Sequence, residues 1–146
     1  MAAETVDTGR LWGMIGGFRL GMLTLRGHDG QLHSSPMTTQ NGASDRGGVL
    51  WFFMSRSGER IRARQAEPEV NVAYADPDAD RYVSVSGVAR IVEDPAKKRE
   101  LFAAGADDPD LALVGVVVRE AEYWDVKSGK AVQLLRLAEH RGVRLH

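Results

Sequence analysis

Between residues 18 and 126 the chain keeps returning to one local pattern, a short apolar or alternating run closed by a turn signal. Runs at 18–25, 31–40, 49–54, 70–75, 81–92, 111–118 and 122–126 read as strands. Gly27-His28-Asp29-Gly30 and Asp76-Pro77-Asp78 are the clearest turns between them. The links are of hairpin length, and strands do not alternate with long helices, which argues against a parallel sheet. The pattern therefore predicts a mainly β fold, an antiparallel barrel with peripheral helices. The dense apolar run at 49–54 predicts a central buried strand, and Gly87 inside 81–92 predicts a bulge or barrel bend.

Short helices fill the gaps. Leu11, Trp12, Met14 and Ile15 suit one that stops at Gly16-Gly17. Residues 59–66 suit a second, with Ser57 as N-cap and Pro68 closing it. Pro95 opens a third over 96–104, ended by Gly105. Val132, Leu135 and Ala138 are spaced helically ahead of Gly142, so 131–141 reads as a C-terminal helix. Residues 1–9 read as a flexible arm, and 1–146 as a single domain.

Composition narrows the function classes. A net charge of −1 gives no general attraction to nucleic acid. The absence of cysteine removes disulfides, thiolate nucleophiles and thiolate metal sites. No apolar run approaches the roughly 20 residues needed to span a bilayer, and the polar start lacks a signal peptide's core. The expectation is a cytoplasmic protein with no nucleic-acid or membrane partner.

Two segments offer binding chemistry. At the junction after residue 54, a helix start with unpaired backbone N–H groups is accompanied by Ser55, Ser57, Arg56, Arg60, Arg62 and Arg64. Such a terminus favours a phosphate, and arginine forks match phosphate oxygens. A solvated basic helix face is the plainer alternative. The second segment is His33-Ser34-Ser35-Pro36-Met37-Thr38-Thr39, where a mid-strand proline places the run at a sheet edge. An edge can present backbone and hydroxyl groups to a planar heterocycle, or can simply be guarded against aggregation. The four histidines lack metal-ligand spacing, no metal site is expected, and Asp107-Asp108-Pro109-Asp110 reads as a solvated turn.

Taken in order, several stretches resemble the FMN-binding split barrel of the pyridoxamine 5′-phosphate oxidase-like superfamily, in its general stress protein branch. They are Asp29-Gly30-x-x-His33-Ser34-x-Pro36-Met37, Leu50-Trp51-Phe52-Phe53, Arg60, Asn71-Val72-x-Tyr74-x-Asp76-Pro77, Tyr82 through Gly87, Asp107 through Leu113, and Glu122-Tyr123-Trp124-Asp125. The resemblance spans residues 9–141 and implies a six-stranded antiparallel Greek-key split barrel. It also implies FMN as cofactor and a homodimer with flavin sites at the subunit interface. By that resemblance Ser35, Pro36, Met37, Thr38 and Thr39 lie along the flavin ring, with Phe53, Met54 and Ser55 nearby. Arg60 would hold the phosphate, at the helix start that Ser57 accompanies, and Tyr82 and Trp124 would stand near the flavin, Trp124 toward the partner subunit.

Two departures bear on that expectation. Relatives usually carry arginine where this chain has Ser35; a charge-assisted hydrogen bond is worth roughly 1.5–3 kcal/mol, so FMN would bind ~10-fold or more weakly unless Arg56 or Arg62 substitutes. The segment between Leu101 and Asp107 is also shorter than in stress-protein relatives. The resemblance implies a flavin oxidoreductase or redox stress-response protein of unknown substrate. The alternatives are a noncatalytic flavin-storage module, or a barrel using deazaflavin or haem, with His33 the first haem-ligand candidate. No residue marks itself as an acid–base catalyst, and the arginine–histidine signature of pyridoxamine phosphate oxidase is missing after Trp124.

Overall fold

The computed structural model describes residues 3–5, 8–42, 47–58 and 68–137. Its strands are β1 (Ala3–Thr5), β2 (Gly21–Arg26), β3 (Leu32–Met37), β4 (Val49–Ser55), β5 (Glu69–Asp76), β6 (Arg81–Ile91), β7 (Leu111–Asp125) and β8 (Lys130–Leu137). The helices are α1 (Thr8–Ile15) and α2 (Pro95–Leu101), with 3₁₀ turns at Pro77–Ala79 and Ala103–Gly105. All strand pairs are antiparallel, in the order β1-β8-β7-β6-β5-β2-β3, and β4 returns to pair with β7. Among the described residues no helix is long and apolar enough to cross a membrane.

The period of two sets the core. Leu23 and Leu25 of β2, Leu50, Phe52 and Met54 of β4, Val70, Val72 and Tyr74 of β5, and Val83 and Val85 of β6 all point inward and are buried. Burial of this kind is worth about 1.5–3 kcal/mol for each large apolar side chain. Leu11 and Ile15 of α1 join the same core, and α1 lies against β8 and β6. Asp94 caps α2 by accepting from the Lys97 N–H at 3.1 Å, with Pro95 in the first turn.

β7 organises the sheet. It is one long strand where the sequence suggested two, at 111–118 and 122–126, because the polar residues at 119–120 belong to the strand and Ala121 is again fully buried. Its first half pairs with β4 and its second with β8, while β6 runs along its other edge. Register shifts at Ser86/Gly87 and Ala121/Glu122 bend it. Gly87 is required at the first, since a Cβ there would collide with the Val117 carbonyl oxygen. The expected bulge is therefore present. The run at 49–54, expected to be a central buried strand, buries Leu50, Phe52 and Met54 and leaves Val49, Trp51 and Phe53 half-buried, and among the described residues β4 has a ladder partner on one side only.

Two expectations at the chain ends are corrected. Residues 131–137 are strand β8, not the start of a helix over 131–141; residues 138–141 lie outside the described residues. Gly129 at φ 70° and the Asp125 carboxylate, which accepts from Lys127 and Ser128 N–H, turn the chain back onto β7. The exposed half of that strand then offers a ladder, and Leu134 is buried on the strand period. Within the expected arm at 1–9, Ala3–Thr5 pairs with Leu135–Leu137, and Thr8 already begins α1.

Candidate functional site

Among the described residues β3 is the last strand of the ladder, paired with β2 alone, as its Pro36 predicts. Met37 is buried and Ser35 half-buried, whereas Ser34 and Pro36 point outward. Beyond Met37 the chain leaves β2 and crosses to β4. Thr39 Oγ1 lies 2.6 Å from the hydroxyl of Tyr74. The Gln40 N–H donates to Trp51 O at 2.8 Å. The Asn41 amide then imitates a strand: its Nδ2 donates to Val49 O and its Oδ1 accepts from Trp51 N–H, both at 2.8 Å.

That seam joins β3 to β4 at one end only. No ladder links β3 to β4 among the described residues. The structure thus links the segment holding Ser35 to Thr39 with the strand holding Phe53 to Ser55 through the contacts of Gln40 and Asn41 with Trp51 and Val49. Phe53 packs outward against Phe102, ring centroids 5.8 Å apart, so the short segment after α2 reaches this edge.

The end of β4 is occupied by a carboxylate. Ser55 Oγ donates to Asp110 Oδ2 at 2.7 Å, the Ser57 N–H donates to Asp110 Oδ1 at 3.0 Å, and the two serine hydroxyls lie 3.1 Å apart. The Ser55 hydroxyl, followed by the Ser57 N–H, holds the Asp110 carboxyl below its usual range. Arg56, the suggested substitute for a missing arginine, pairs with Glu93 at 3.2 Å and donates through Nε to Pro109 O. Arg60, Arg62 and the helix expected over 59–66 lie outside the described residues. Sequence reasoning missed Asp110, whose position depends on the β4–β7 register that sets Ser55 opposite Leu111.

Tyr82 and Trp124 fall elsewhere. They lie one step beyond the Val83–Tyr123 pair, where Trp124 is 48% exposed. On β7, Trp124 stands eleven residues beyond Leu113, the residue paired with Phe53. An outer-face groove of about 390 Å³, lined by Thr24, Leu32, Asn71, Ser86, Arg119 and Glu120, contains none of the expected site residues. His33 Nε2 lies 3.0 and 3.1 Å from the two oxygens of Asp29, beside the β2–β3 turn.

The described residues suit the ring of a flavin better than its phosphate. The Thr39 hydroxyl is a polar group on this segment, and the Phe53–Phe102 pair is apolar surface on β4. The two serines expected near the phosphate bond Asp110 instead.

Residues 7–141 match the family described as pyridoxamine 5′-phosphate oxidase like. No curated protein matches. Among solved structures, the chain is similar to the general stress FMN/FAD binding protein of Xanthomonas citri, 32% identical, TM-score 0.67, covering 80% of this chain and 87% of that one. General stress protein 26 of Bacillus anthracis is 22% identical with TM-score 0.70, over 87% and 98% of the two chains. A heme binding protein of Mycobacterium smegmatis is 18% identical with TM-score 0.69, over 89% of this chain and 58% of that one. The chain belongs to the pyridoxamine 5′-phosphate oxidase-like family.

Proposed function

We propose that the protein binds FMN along the β3 and β4 edges and acts in the cytoplasm as a flavin-dependent redox or stress-response protein. The observation that carries the reading is the seam at Gln40 and Asn41, which leads the chain from the β3 edge to β4. An isoalloxazine ring needs hydrogen-bond partners in its plane and apolar cover on its faces, and the Thr39 hydroxyl and the Phe53–Phe102 pair are groups of these two kinds. The 32% identical relative from Xanthomonas citri, named for FMN/FAD binding, supports the choice of ligand. When bound, the flavin supplies the electron transfer, while the protein orients it and tunes its surroundings.

A homodimer accompanies this reading. Trp124 stands eleven residues along β7 from the residue paired with Phe53, and a flavin contact by this exposed side chain is assigned to a second copy. The deciding experiment is an anaerobic FMN titration followed by fluorescence and thermal unfolding, with riboflavin, deazaflavin and haem as comparators. Saturable FMN binding at about 100 times Kd adds ~2.7 kcal/mol of stability and raises Tm. Binding of haem or deazaflavin in place of FMN reassigns the site. Turnover with NAD(P)H separates a redox catalyst from a storage module. Light scattering that shows a monomer at working concentration removes the shared-site arrangement.

A further inference from the structure

Tyr74 is a buried residue that connects the core to the candidate ring edge. It belongs to β5, its side chain is 2% exposed, and its hydroxyl reaches Thr39 Oγ1 at 2.6 Å. Gly21 makes room for the ring, because a Cβ there would lie 2.7 Å from Tyr74 Cε1. Phe18 tilts against the ring at 5.2 Å, and the Arg81 guanidinium lies 5.3 Å from the Phe18 centroid. Arg81 is tied in turn to Asp76 at 3.4 Å. The phenol is therefore held on one side by packing and on the other by a single hydrogen bond.

Burial raises the Tyr74 pKa to about 12, so the phenol keeps its proton throughout the working range. A neutral phenol has one hydrogen to donate. When it goes to Thr39 Oγ1, the threonine hydroxyl hydrogen is available for a second acceptor. Thr39 is only partly buried, and Tyr74 is its hydrogen-bond partner among the described residues. Two hydroxyls in series polarise one another, which strengthens the outer donor. The geometry also fixes the segment between Met37 and Gln40, which no ladder holds.

We propose that Tyr74 is a positioning residue: it holds and polarises Thr39 so that the end of β3 offers a hydroxyl donor to a carbonyl or imine acceptor of a planar heterocycle. The inference rests on the flavin reading of this edge and assigns that reading a specific hydrogen bond. It concerns the ring, not the phosphate, so FMN and riboflavin must respond alike.

The test compares wild type with Tyr74→Phe, Thr39→Val, Thr39→Ser and the Tyr74→Phe/Thr39→Val pair. For each, FMN and riboflavin are titrated, and the absorption spectrum and midpoint potential of the bound flavin are recorded. Tyr74→Phe keeps the packed ring and removes only the hydroxyl. The expected result is about threefold to tenfold weaker binding of both flavins, a changed visible spectrum and a lower midpoint potential. Thr39→Val should behave alike, Thr39→Ser should restore binding and spectrum, and the double variant should be no worse than Thr39→Val. Tyr74→Phe protein with a lower Tm but the wild-type spectrum, potential and affinities overturns the proposal and leaves FMN binding standing. A spectral change for Thr39→Val alone also overturns it. Wild-type protein that binds neither flavin overturns the proposal together with the flavin reading.

Discussion

The two ends of the candidate site are built on opposite principles. At the β3 end, a buried neutral phenol meets a threonine hydroxyl. At the β4 end, an exposed carboxylate collects the Ser55 hydroxyl and the Ser57 N–H. Burial makes the first contact costly to break, because a lone hydroxyl left in the core has no water to turn to. Exposure makes the second cheap to rearrange, since water and salt compete with every bond in it. The fold thus holds Thr39 from within, while Ser55 and Ser57 are tied by exposed hydrogen bonds.

The largest expected effect is at the buried end. Tyr74→Ala removes a core ring as well as the hydroxyl and should cost about 3–5 kcal/mol, read by denaturant unfolding. A cost below that of an ordinary surface change would break the contrast. Gly21→Ala should cost about 1–3 kcal/mol, because the added methyl meets the Tyr74 ring and Val72 within 2.8 Å, and neither can swing away. An unchanged Cm would show that the ring is less confined than its contacts imply.

pH separates the two ends with opposite signs. The folded Tyr74 pKa is raised from 10.0 to about 12, so the stability tied to its neutral form is complete below pH 10 and is lost as pH rises through 12. Tyr74→Phe should remove that alkaline loss in unfolding curves. Asp110 is depressed from 3.8, so its contribution is complete above that value and is lost as pH falls through the lower folded pKa. The smallest effect is therefore Asp110→Asn. It should lower stability slightly at neutral pH, flatten the acid limb, and have less effect as salt is raised. An acid limb unchanged by Asp110→Asn would assign it to other carboxylates.

Much of the barrel is legible because its evidence is local. Leu23 and Leu25, Val70 and Val72, and Val83 and Val85 alternate with half-buried or exposed neighbours, so the chain declares its inner face without tertiary information. Pro36 and Gly87 announce an edge and a bulge for reasons of backbone chemistry alone. What stayed hidden depends on partners distant in sequence. Val132, Leu135 and Ala138 satisfy a helical period, and only the unpaired half of β7 makes 130–137 a strand. Arg119 and Glu120 read as a break between strands until β6 is laid alongside them. Of the site, the β3 segment is visible from its sequence. The roles of Tyr74 and Asp110 are not, because each acts across a long loop, on Thr39 and on Ser55.

The seam at Asn41 carries a chemical clock. Asn41 precedes Gly42, and an asparagine before glycine is readily attacked by the following backbone nitrogen to give a succinimide and then an acid. In the folded chain the side-chain amide is pinned at both ends, to Val49 O and Trp51 N–H, which keeps it from turning toward that nitrogen. Each local opening releases it. Once converted, the residue has no hydrogen to give Val49 and sets a negative charge against that carbonyl. The strand mimic then fails on one side, so aged protein should shed its grip between β3 and β4 first, before any core residue has moved.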